Sequence, residues 1–283
     1  MNIKVGHGVK RALAVLVAFL LFSSCSTEYK IASQAGKDIN GTSLLLLFPD
    51  DIFVQNSKPY SFPDSLNEEQ RYLLSLDSSF FLKDIDAEKF KEQFQNRIIK
   101  LYSEYGFKVY TEETLDSFLT CTTTAYILNF SQLQIEEFWK PFNDDFLKED
   151  GTVYSQYFDL NALAAEAWVN VSKANDTSGI DNLIYCESVI SDEIDGNFYY
   201  DEIDDKVYYT YNANLLEKDD WSDLLSQAPI DISLNIIDFI VNSSIEREML
   251  SLENTYPNRF WRYNPGSTRL SPVHGKSDYV IMK

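Results

Sequence analysis

The sequence predicts an α/β or α+β domain: a mixed sheet covered by helices, with an antiparallel meander in its C-terminal half. Three observations carry this. Thr42 to Phe48 is a continuous apolar run bounded by Gly41 and Pro49, which fits a strand buried on both faces. Phe90, Phe94, Ile98, Leu101 and Tyr105 recur at helical spacing between a candidate N-cap, Asp86, and a stop signal, Gly106. Further on, Leu133 and Ile135 alternate with Gln132, Gln134 and Glu136, and the stretch Leu163 to Val171 alternates likewise, at the period of a strand.

The remaining elements follow in order. Ile52 to Val54 continues the first strand. Residues 57–85 hold Pro59, Pro63 and several serines and read as an insertion, with a short helix over Leu66 to Leu76. Phe107 to Tyr110 is a short strand, and Thr111 caps a shorter helix through Leu119. A long extended stretch runs from Thr124 to about Trp139, and a loop of Asp, Asn and Gly residues spans 143–152. Tyr157 to Val171 is rich enough in alanine for a helix, but Trp168-Val169-Asn170-Val171-Ser172 has high β-propensity and favours a strand.

Leu183 to Ile190, Asn197 to Tyr200 and Lys206 to Tyr211 supply the meander. Asp195-Gly196 is a strong tight-turn signal within it and Asp204-Asp205 a weaker one. Trp221 to Leu225 leads to Pro229, after which Ile230 to Leu252 is helical, with Ile232, Ile236, Phe239, Ile240 and Ile245 inward. Pro257, Pro265 and Pro272 make residues 255–283 an irregular tail. A single globular domain over 42–254 results, without internal repeats.

Charge excludes some functions. The 283 residues include 24 Lys+Arg against 44 Asp+Glu, a formal net charge of −20. Nucleic acid is therefore not an expected partner, since phosphate neutralisation needs Lys and Arg. Purely electrostatic docking on anionic lipid is disfavoured for the same reason. At 45% hydrophobic and 14% aromatic the chain is too apolar for an acidic disordered protein.

The N-terminus reads as an address. Lys4, Lys10 and Arg11 precede an 11-residue apolar run, Ala12 to Phe22, too short to span a bilayer but of secretory proportions. Leu21-Phe22-Ser23-Ser24-Cys25 resembles a bacterial lipobox, although Phe22 stands where leucine is usual. The resemblance implies cleavage after Ser24, which removes a signal peptide of residues 1–24, and diacylglycerol plus N-acyl modification of Cys25. Two or three acyl chains anchor stably where one does not, because each buried CH₂ contributes about 0.8 kcal/mol. Residues 25–41 are small and polar and read as a lipidated tether. Ser26 is not the aspartate that signals inner-membrane retention, so the expected location is the outer membrane of the cell envelope, on either face.

The element order also resembles a small α/β domain of envelope lipoproteins: the curli-secretion lipoprotein, the N-terminal part of TolB, and the activators of peptidoglycan synthases. The similarity rests on the run TSLLLLF at 42–48, the helix 87–105, Gly106-Phe107 and Val109, the helix after it, and Ala125-Tyr126-Ile127-Leu128, and it covers about residues 42–171. It implies a scaffold or regulator, a non-catalytic accessory subunit with an envelope protein partner. The alternative is a surface glycan- or nutrient-binding lipoprotein, followed by a hydrolase.

Candidate sites are few. With Cys25 acylated, Cys121 and Cys186 remain, as buried thiols, as a disulfide or, without a histidine near either in sequence, as a catalytic thiol. After cleavage His274 is the remaining histidine, which weakens any His-dependent mechanism, and no G-x-S-x-G, H-E-x-x-H, P-loop or G-x-G-x-x-G occurs. Asp192, Asp195, Asp201, Asp204 and Asp205 form the densest carboxylate group and could supply oxygens to calcium, against a plain reading as solvated turns. Tyr199 and Tyr209 belong to an aromatic set that alternation splits between core and an exposed glycan or protein patch. Trp261 and Arg262, inside Phe260-Trp261-Arg262-Tyr263, either pack back on the domain or dock a partner. Asp64-Ser65-Leu66 resembles a short bacterial O-glycosylation pattern with Ser65 as acceptor. No cofactor is expected beyond the acyl groups on Cys25.

Overall fold

The computed structural model describes residues 27–174, 182–267, 269–274 and 277–282. Ser24 and Cys25, the expected cleavage and lipidation positions, lie outside them. A helix over 27–38 (α1) opens the described chain. Then come β1 (Ser43–Leu47), β2 (Phe53–Asn56), α2 (Glu68–Asp77), α3 (Ala87–Glu104), β3 (Lys108–Tyr110) and α4 (Leu115–Leu119). The second half holds β4 (Ala125–Leu147), β5 (Val153–Lys173), β6 (Asn182–Ser191), β7 (Glu193–Asp201), β8 (Lys206–Asn214), α5 (Trp221–Glu253), β9 (Phe260–Asn264), β10 (Arg269–Val273) and β11 (Tyr279–Met282).

The expected mixed sheet is present. Its order is β11-β6-β5-β4-β1-β3, with β2 also on β4. β1, β2 and β3 join by parallel pairing, and β4, β5, β6 and β11 by antiparallel pairing. Leu44 and Leu46 of β1 point into the main core, whereas Leu45 packs with Phe118 of α4 on the opposite face. That alternation is why the run is apolar throughout.

Helix α3 follows its sequence signals. Asp86 accepts the Lys89 N–H at 3.0 Å, and Phe90, Phe94, Ile98 and Leu101 are buried, with Tyr102. Gly106, at φ +94°, ends it, and the Phe107 N–H reaches back to the Tyr102 carbonyl at 3.1 Å. Helix α5 is 33 residues long and runs through Pro229 without stopping. It buries residues on every side, including Ile232, Ile236, Ile237, Phe239 and Val241, because it lies between the sheet and other elements. By length and composition it could cross a membrane, but 67% of its most apolar stretch is buried inside the fold.

Four expectations need correction. Residues 27–38 of the supposed tether are helix, with Glu28, Ile31 and Ala32 buried. The supposed irregular tail forms β9, β10 and β11, and β11 pairs with β6, so the domain extends on both sides of 42–254. Asp195-Gly196 is not a turn but lies within β7; the hairpin turns at 202–205, where Asp205 takes φ +52°. The meander therefore leaves the sheet, and β7 and β8 form a separate ribbon. Finally, β4 continues to Leu147 through most of the supposed 143–152 loop, pairing with β5 down to Leu147 and Val153.

Candidate functional site

The most distinctive construction is an arm. The last β6 pairing on β5 is Ala162 with Ser191, and the last β2 pairing on β4 is Asn56 with Glu137. Beyond Trp139 and Asn161 the β4–β5 hairpin has no further sheet neighbour among the described residues, and it continues for eight residue pairs. At about 3.3 Å per residue that is a projection of about 26 Å. Pro141 sits in this stretch, at an open edge where a missing N–H costs no ladder bond.

The β7–β8 ribbon, nine pairs long, lies on the hairpin through aromatic rings. Phe146 meets Phe198 at 5.9 Å, and Phe158 meets Tyr209 at 6.1 Å and Tyr211 at 4.9 Å between centroids. Gly196 is required beneath this layer: a Cβ there would stand 1.8 Å from the Tyr209 hydroxyl oxygen.

Outside, the arm exposes Trp139, Leu147, Val153, Tyr157, Tyr199, Tyr200, Ile203 and Tyr211. Residues 139–161 and 193–214 together carry 11 carboxylates against 3 lysines. They also carry 12 aromatic residues, about twice the chain's average density. Of the two tyrosines singled out from sequence, Tyr199 is exposed and stacks on Tyr208, while Tyr209 is an inner residue of the arm and not a surface contact.

The arm does not gather the five aspartates. Asp192 is buried at its root, where it accepts N–H groups from Asn161 and Leu216 at 2.9 and 2.8 Å. Asp195 lies within β7, whereas Asp201, Asp204 and Asp205 lie at the tip. There Asp201 accepts the Ile203 N–H, and Asp204 and Asp205 accept the hydroxyls of Tyr208 and Tyr200. Among the described residues no group of three or more His, Cys, Asp or Glu is arranged to hold a metal.

A buried polar chain fixes the arm's root to the body. Lys58, from the insertion, donates to Glu137 at 2.7 Å and to Asn161 at 2.8 Å. Glu137 is fully buried and also accepts the backbone N–H groups of Phe80 and Phe81 at 2.9 and 2.8 Å. Asn161 in turn donates to Asp192. Insertion, sheet and ribbon thus meet in one network. Sequence reading did not select Lys58 or Glu137, yet a signal existed: Glu137 continues the inward series Leu133, Ile135.

Two clefts flank these elements. One, of about 500 Å³, lies at the arm's root and is lined by Lys140, Phe142, Asp195, Asn212 and Asn214 among others. The other, of about 570 Å³, lies over β6 and α5, with Glu187, Asp231, Asp238, Arg262 and Asp278 on its walls. Burial raises the Asp238 carboxyl to about 7, against the Tyr263 N–H and Arg262, which favour its charged form. The carboxylates there have internal partners: Ser188 with Asp231, the Tyr263 N–H with Asp238, and Arg262 with Asp278.

The other candidates separate. Trp261 is 2% exposed and belongs to the core, so it does not dock a partner, and its neighbour Arg262 turns outward to Asp278. Alternation along β9 places Trp261 and Tyr263 inward. Ser65 is exposed in a turn before α2. Cys121 and Cys186 are free thiols, not a disulfide, and burial pushes Cys186 up to about 12. No protein-family model matches this sequence, and none of the curated proteins aligns with it significantly.

Proposed function

We propose that the chain is a lipid-anchored envelope protein, held at the outer membrane through Cys25, that presents its arm to a protein partner as a non-catalytic accessory or scaffold subunit. The arm carries this reading. Among the described residues, two stacked ribbons leave several strand edges unpaired along about 26 Å, and exposed aromatics flank them. Such edges accept an extended segment by strand addition, and the 11 carboxylates favour a basic one. The internal pairing of the carboxylates in the larger cleft supports a structural role for them.

The test is photo-crosslinking in intact cells from Tyr157 and Ile203 on the arm, compared with an exposed body position such as Lys89. A recurrent basic envelope protein crosslinked from the arm but not from Lys89 is the expected result, and an acylated Cys25 peptide is expected in the same sample. Absence of any arm adduct would sink the scaffold reading. A second reading, glycan binding, draws on the root cleft, where Phe142 stands beside Asp195, Asn212 and Asn214. Glycan arrays would then decide it.

A further inference from the structure

We propose that the body sits directly on the phospholipid headgroups, with the first turn of α1, the 255–259 loop and the end of α5 against them, and with the arm directed away. This rests on the acylation of Cys25 proposed above.

The argument starts from chain length. Cys25 precedes Glu28 by three residues, so their Cα atoms are at most about 11 Å apart. Glu28 is not on a tether. It is 0% exposed and accepts N–H groups from Arg259 at 3.1 Å, Asn258 at 3.3 Å and the Trp261 indole at 3.1 Å. The acyl chains would therefore start within about 11 Å of a fixed point of the fold, which leaves no chain to hold the body off the bilayer.

The surface around that point suits lipid headgroups. Tyr29, Leu252 and Tyr256 are 42%, 63% and 67% exposed. The Arg259 guanidinium lies 5.1 Å from the centre of the Tyr29 ring. Tyrosine presents an apolar ring and a polar tip, which matches the water–lipid boundary. Within 27–30 and 252–259, Lys30 and Arg259 balance Glu28 and Glu253, so the −20 charge of the chain is not concentrated here. The acyl chains supply the affinity, and the face need only be tolerated by the headgroups.

Helix α5 fixes the direction of the arm. Just before it, the Leu216 N–H binds Asp192 at the arm's root. Asn242, 21 residues past Trp221, clasps the Trp261 backbone on both sides, at 2.9 and 2.8 Å. At 1.5 Å per residue the root and the anchor are about 30 Å apart along the helix. Arg247, further on, acts electrostatically on Tyr126, whose partner Lys173 ends β5 at the side remote from the arm. Anchor and arm thus lie at opposite ends.

The test uses the full chain, processed in cells and reconstituted into phosphatidylethanolamine–phosphatidylglycerol vesicles that carry a headgroup quencher. In a Cys121→Ser background, a fluorophore is attached through Thr255→Cys or through Ile203→Cys at the arm tip. Quenching is expected to be several-fold stronger at 255 than at 203. It should fall to the level of 203 when a roughly 12-residue Gly/Ser spacer, reaching about 19 Å, follows Ser26. Equal quenching at the two positions in acylated protein would overturn the seating, and so would strong quenching at 255 that survives the spacer. The mass of the Cys25 peptide is read in parallel; an unmodified Cys25 would instead remove the lipoprotein reading, and the seating with it.

Discussion

Glu28 accepts the indole N–H of Trp261 at 3.1 Å, across 233 residues of chain, inside the core. The same carboxylate takes the Arg259 N–H, so α1 and β9 close on one acidic side chain. Glu28→Ala would leave these donors without an acceptor. The expected loss is on the order of 3 kcal/mol, since each orphaned buried donor costs about 1–3. Glu28→Gln, which keeps one acceptor oxygen, should lose less. Urea unfolding of the three proteins checks the order, and equal stability of Glu28→Ala and the parent would refute it.

Lys58 and Glu137 make a second long-range clasp, and both are buried. Lys58→Met strands a carboxylate in the interior, with an expected cost of about 3–5 kcal/mol. Adding Glu137→Gln should recover part of this, because the amide oxygen still receives a backbone N–H without a buried charge. A double-mutant cycle with purely additive losses would show that the two are not coupled.

How legible these features were depended on periodicity. The α3 face and the β5 alternation were readable because many side chains repeat one rule. Helix α1 was not, since over 27–38 only Tyr29, Ile31, Ala32 and Ala35 are hydrophobic, and its key contact is the buried Glu28. The β9 strand carries a period-two pattern in Phe260 to Tyr263, but three nearby prolines suggested a tail. In the arm, Asp195-Gly196 has the composition of a turn, whereas its glycine makes room for a tyrosine ring from the next strand. The site network was hidden for another reason. Lys58, Glu137, Asn161 and Asp192 come from four separate segments, and only tertiary structure brings them together.

Gly196 provides a test of the arm alone. Alanine there would force the Tyr209 ring away from Phe198, which it meets at 4.7 Å. Overpacking of this kind costs about 1–3 kcal/mol. Since each 1.4 kcal/mol is tenfold, amide exchange across β7 and β8 should quicken by about 10- to 100-fold. Exchange in the buried part of β5, from Leu163 to Val171, should not change. Shortening Tyr209 to leucine in the same chain relieves the clash and should restore part of the protection. Uniform acceleration through the body would mean that the arm does not open separately.

Asp238 sets a pH dependence whose sign can be worked out. Burial raises its carboxyl to about 7, with Asp278 adding to the rise and the Tyr263 N–H and Arg262 opposing it. In the unfolded chain the group ionises near its ordinary value, about 3.9. Between about pH 4 and 7 the unfolded state therefore gives up this proton while the folded state keeps it. Raising the pH through that window favours unfolding, and the loss levels off above about 7. A gap of about three pH units corresponds to a loss on the order of 2–4 kcal/mol. Asp238→Asn mimics the protonated form and can still accept the Tyr263 N–H. It should match the parent near pH 3.5, below that window, and exceed it in stability at pH 8. The growing negative charge of the whole protein acts on both chains and cancels in their difference. Urea titrations at the two pH values measure that difference, and a value that does not change with pH would show that Asp238 ionises normally in the folded protein.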